Sequence, residues 1–76
     1  MAINRIQKEK LKVLGKKVKA LRNEKGLTLK QLSHSINKDP QSVHRLEMGQ
    51  VNPSYLYLLD ICSGLEIEIS ALLQGS

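Results

Sequence analysis

The chain has 76 residues, room for one small domain near the size at which a single apolar core becomes marginal, and none for an added catalytic domain. Its 12 Lys and Arg against 7 Asp and Glu are unevenly placed: residues 1–26 carry nine basic and two acidic side chains (net +7) and residues 27–76 three and five (net −2), a basic segment suited to a polyanion such as nucleic acid. One cysteine, Cys62, excludes an internal disulfide framework or a multi-thiolate zinc site, and no apolar run reaches signal-peptide or membrane-spanning length, so a soluble cytoplasmic protein is expected.

Residues 1 to about 7 read as a loose arm, with Ile3 and Ile6 suited either to extend a helix or to meet a partner. Residues 1–10 are therefore set apart, as an arm or helix extension, from a domain over 11–74. From Leu11, the apolar positions Leu14, Val18 and Leu21 recur at helical spacing and stop before Gly26, which suits a left-handed helix end. Thr28 caps a second helix with Leu29, Leu32 and Ile36 on one face. Asp39 caps a third, with Pro40 in the first-turn slot where a missing N–H costs nothing. The Ser35–Lys38 segment between them has room only for a tight turn, and Asn37 tolerates left-handed backbone. Two short helices joined this way form a helix-turn-helix, whose second member can enter the DNA major groove.

Gly49 closes the third helix and Ser54 caps a fourth, in which Tyr55, Leu58, Leu59, Cys62 and Leu65 share a face. Leu56, Tyr57 and Ile61 leave its other side apolar, so that helix is either central or laid against another subunit. Leu65–Ile69 alternates like a strand but has nothing to pair with, so it reads as a turn into a short fifth helix holding Ile69, Leu72 and Leu73. The expected fold is all-α, with five helices.

Over roughly Leu14 to Leu73 the chain resembles the phage-repressor, or Xre-type (Cro/C1-like), helix-turn-helix family. The matching residues are Leu14-Gly15, Val18, Leu21-Arg22, Lys25-Gly26-Leu27-Thr28, Leu32, Val43, Leu46-Glu47, Gly49, Asn52-Pro53-Ser54, and Leu65 with Leu72. The resemblance implies a lambda-repressor-like domain, sequence-specific DNA binding as a symmetric dimer on a palindromic site, no enzymatic activity, and a partly buried ion pair between Arg22 and Glu47. The sequence departs from the family pattern at Leu29, where a phosphate-touching glutamine is common, and at Ser33, in place of a small alanine. It departs again at Lys38, commonly apolar, and at Glu66 and Glu68, where a turn glycine and a capping residue are usual.

The exposed beginning of the third helix supplies the base-reading candidates, because Val43 and Leu46 anchor its opposite face. Gln41 and Arg45 project from one side; Gln41 suits adenine and Arg45 suits guanine O6 and N7, each pairing worth about 1–3 kcal/mol of discrimination. Ser42 and His44 flank them, and Pro40 suits a thymine methyl group. Phosphate candidates are Thr28, Lys30, Lys38, Gln50 and Asn52. Thr28 can cap its helix at the same time, and for the two lysines plain solvated charge is an equal reading.

Residues 51–76 hold three acidic and no basic side chains, which suits a face turned from DNA; Leu56, Tyr57, Ile61, Leu72 and Leu73 are the dimer-interface candidates, some of them needed for the core. His34 and His44 lack further ligands, Cys62 reads as a small core residue, and no catalytic set or phosphate loop occurs, so neither metal, cofactor nor small-molecule ligand is expected. The leading reading is a DNA-binding repressor or controller of the kind associated with phage, restriction-modification or mobile elements, acting as a homodimer on double-stranded DNA. An antitoxin-like module that binds another protein, with secondary DNA binding, stays open beside it, as does general nucleic-acid binding through the basic segment.

Overall fold

Side chains at the helix ends decide where the first four helices start. The computed structural model describes residues 4–74, so the expectation for Ile3 lies outside the described residues. Asn4 accepts a hydrogen bond from the Gln7 amide (2.8 Å) while Gln7 Oε1 accepts one from the Asn4 amide (3.2 Å), a reciprocal capping box that starts α1 at Arg5. Residues 5–10 are therefore the opening turns of α1 (Arg5–Glu24), the helix extension of the two alternatives. Thr28 and Gln31 form the same box at the head of α2 (Leu29–Ser35). Asp39 caps α3 (Pro40–Glu47), and Ser54 caps α4 (Tyr55–Leu65). A short α5 (Ile69–Leu73) follows, and no strand occurs among the described residues.

The first four helices stop in one way. At each end a residue with positive φ lets two amides turn back on the last turn's carbonyls. After α2, for example, Asn37 (φ 59°) donates to the His34 carbonyl and Lys38 donates to that of Ser33. After α4 the residue in this position is Glu66 (φ 57°), and the same pair of bonds forms, from Glu66 to Ser63 and from Ile67 to Cys62.

The core draws on every helix: Val18 of α1, Leu32 of α2, Val43 and Leu46 of α3, Leu58, Ile61, Cys62 and Leu65 of α4, and Leu72 of α5. The buried face of α4 thus runs at positions 58, 61, 62 and 65, rotated from the face expected from sequence; Tyr55 is 61% exposed. Ser33 is fully buried, and its hydroxyl donates to the Leu29 carbonyl one turn back, so it replaces a small apolar residue without an unsatisfied group. Burial raises the pKa of the Cys62 thiol and keeps it neutral, a core role.

Candidate nucleic-acid interface

α3 is clamped along one side. Val43, Leu46 and Glu47 are buried, while Gln41, His44, Arg45 and Met48 are exposed. Gln41, Arg45 and Met48 fall at i, i+4 and i+7 and so share the outward face. α1 braces the inner side by close backbone approach at Gly15, where a Cβ would lie 2.5 Å from the Leu46 carbonyl oxygen and nearer still to that of Glu47. No side chain fits there.

A buried ion pair locks the same junction. Arg22 Nε donates to Glu47 Oε2 at 2.8 Å, Nη2 to Oε1 at 3.1 Å, and Nη1 to the Leu27 carbonyl at 2.9 Å. One guanidinium thus ties the end of α3 to α1 and to the segment leading into α2. The hydrogen bond with Glu47, helped by its charge, outweighs burial and raises the Arg22 pKa above its ordinary value. Among the described residues no buried side-chain nitrogen or oxygen lacks a partner.

The head of α3 is held by α4 through two of the side chains expected to contact DNA. The hydroxyl of half-buried Ser42 shares a 2.8 Å hydrogen bond with that of Tyr57. Lys38 Nζ lies 3.2 Å from Asp60 Oδ2 and 4.8 Å from the centre of the Tyr57 ring. Ser42 and Lys38 therefore both contact α4, where Lys38 occupies the usual apolar position with its ammonium over the Tyr57 ring and beside Asp60. Tyr57 in turn positions α3, a role its place in the sequence does not announce, because the contact spans 15 residues.

The other candidates divide by exposure. Gln41, His44 and Arg45 are open on α3, with Pro40 half-buried at its first turn. Thr28, Lys30, Gln50 and Asn52 are exposed on the flanking segments, and the Thr28 hydroxyl accepts the capping bond from Gln31. Leu29 packs against the core, so the head of α2 presents an apolar side chain where the family commonly has a glutamine.

Among the five dimer-interface candidates, Ile61 and Leu72 are corrected: both are 0% exposed and complete the core of this chain, because α4 turns Ile61 inward and α5 folds Leu72 back against it. Leu56, at 71%, and Leu73, at 46%, remain exposed, and Tyr57 is half-buried beside Ser42. No group of three or more His, Cys, Asp or Glu side chains placed to hold a metal occurs among the described residues, nor does a helix long and apolar enough to cross a membrane.

The model of the HTH_3 helix-turn-helix family matches residues 18–72, which spans the end of α1 through Leu72 of α5. The chain belongs to this family. Among solved structures, this HTH_3 protein is similar to the restriction-modification controller protein C.AhdI from Aeromonas hydrophila, with 31% identity, a TM-score of 0.82, and coverage of 84% of this chain and 97% of that one. It is also similar to the clp gene regulator ClgR from C. glutamicum, with 27% identity, a TM-score of 0.80, and coverage of 83% of this chain and 82% of that one. No curated protein matches the sequence. Family and structural likeness together make this HTH_3 protein a DNA-binding transcriptional regulator.

Proposed function

We propose that the regulator reads the major groove with α3, as a homodimer on an inverted repeat whose half-sites lie about one helical turn, roughly 34 Å, apart. The observation that carries this reading is the exposed row Gln41, Arg45 and Met48 on a helix whose opposite side is buried and fixed by the Arg22–Glu47 pair. Gln41 and Arg45 contact bases, with His44 and Pro40 at the edge of the reading face. Thr28, Lys30, Gln50 and Asn52 set the register on the phosphates. A controller-type role, without catalysis and in the cytoplasm, fits the likeness to the restriction-modification controller protein. The exposed Leu56 and Leu73 offer apolar surface for pairing.

Selection of bound duplexes from a random pool tests the reading: recovered inverted repeats support it, and sequence-blind recovery overturns it. The same exposed apolar side chains would also suit an antitoxin-like module held by another protein. That alternative predicts a sequence-blind pool together with a stoichiometric protein partner.

A further inference from the structure

The lysines of α1 are not spread evenly around the helix. Lys8, Lys12, Lys16 and Lys19 recur at intervals of four and three and form one exposed stripe. That stripe runs beside α3. α1 passes so close to Gly49 that a Cβ there would sit 2.7 Å from the Lys12 Cα, and Lys12, Lys16 and Lys19 line a shallow depression with Glu47 and Met48. Met48 belongs to the outward face of α3, one turn beyond Arg45 and 47% exposed. The positive stripe therefore begins where the reading face ends.

Nothing among the described residues neutralises it. Among the described residues none of these four lysines takes part in an ion pair. The one carboxylate in the depression, Glu47, is already bound by two hydrogen bonds from Arg22. Like charges four residues apart oppose helix formation, so the row does not serve α1 itself. From Lys8 to Lys19 it extends about 16 Å at 1.5 Å per residue, the axial length of roughly five base-pair steps.

From this the geometry points to a second DNA contact: the α1 stripe clasps the phosphate backbone flanking the bases that α3 reads. This rests on the proposed placement of α3 in the major groove, and it adds affinity without adding sequence information. The surface is formed by one helix and is continuous with the reading face, whereas residues 51–74 carry no basic side chain.

The test measures binding against salt for the full chain on a duplex of about 30 base pairs, roughly three turns, recovered by selection, and on a shuffled duplex of equal length. Each lysine withdrawn from a phosphate lowers the log–log salt slope by about 0.9, so Lys12→Gln, Lys16→Gln and Lys19→Gln together are expected to lower it by about two to three per chain. Affinity for both duplexes should fall by the same factor, and replacing the same three residues by Arg should keep the parent slope. Should the triple variant unfold, Lys16→Gln alone is expected to lower the slope by about 0.9. A folded glutamine variant with the parent slope overturns the proposal, as does a loss confined to the selected duplex. If the parent itself shows no preference between duplexes, the reading of α3 fails while the slope comparison still decides the fate of the stripe.

Discussion

The helices of residues 5–50 and α4 of residues 51–74 end with the same hydrogen bonds but with different amino acids. In the first region Gly26, Asn37 and Gly49 take the positive-φ positions, each a residue suited to them. In the second, Glu66 is held at φ 57°, and α5 starts at Ile69 with no capping bond from the Glu68 side chain. The region that carries the proposed interface is thus specified turn by turn in its own sequence. The region behind it accepts two local penalties because Leu65, Ile67, Ile69 and Leu72 pack against the shared core and fix the corner from inside. Charge follows the same division, with the basic surplus before Leu27 and only acidic side chains after Gln50.

Cutting the lock in the first region gives the largest expected effect. Glu47→Ala leaves the Arg22 guanidinium buried without its carboxylate, and breaking a buried pair costs about 3–5 kcal/mol. For a domain this small that is most of the folding free energy. Circular-dichroism melting should show a variant partly unfolded at room temperature; a melt equal to the parent's would mean that the pair contributes nothing.

The second region separates core from surface in a way that a substitution pair exposes. Ile61→Ala removes a fully buried side chain and should cost about 2–5 kcal/mol, whereas Leu56→Ala, at 71% exposure, should leave monomer stability within about 0.5 kcal/mol. If Leu56 pairs two copies, its loss will appear in sedimentation as a weaker dimer. Equal denaturation midpoints for the two variants would contradict the rotated face of α4.

That rotation marks where the sequence stopped being legible. Five helices, the capping roles of Thr28, Asp39 and Ser54, and the left-handed Asn37 follow from local chemistry, and local chemistry survives without knowledge of the fold. α4 is apolar on nearly all sides, so periodicity does not say which of Tyr55, Leu56 and Ile61 faces inward; tertiary packing alone decides. The Asn4 and Gln7 capping box was present in the sequence, three residues apart, but a lysine-rich segment masks it as a loose arm. The position of Ser42 on α3 marks it as a base-contact candidate, and its bond to the distant Tyr57 hydroxyl is not legible from that position.

On the reading face, Arg45→Ala should reduce discrimination between a selected duplex and its single-base variants by about 1–3 kcal/mol, or roughly fivefold to 150-fold, with little change in melting temperature. A uniform loss on all duplexes would make Arg45 a backbone contact. Tyr57→Phe acts where the two regions meet: it removes the hydroxyl that holds Ser42 and should cost about 0.5–1.5 kcal/mol of stability. A variant that melts with the parent would show that water replaces Tyr57 at no cost.

The smallest expected change runs in the opposite direction. A non-glycine residue in the left-handed region is strained by about 1–2 kcal/mol, and glycine gives back about 0.5–1 kcal/mol of that through the greater freedom of its unfolded chain. Glu66→Gly should therefore stabilise the domain by about 0.5–1 kcal/mol, raising the melting temperature by roughly 2–8 °C. Asn37→Gly should gain less, because asparagine already tolerates that backbone. The order of the two gains is what matters: a larger gain at Asn37 than at Glu66 would mean that the strain lies in the helix-turn-helix, and that the α4–α5 corner owes its shape to more than the packing of Leu65 and Leu72.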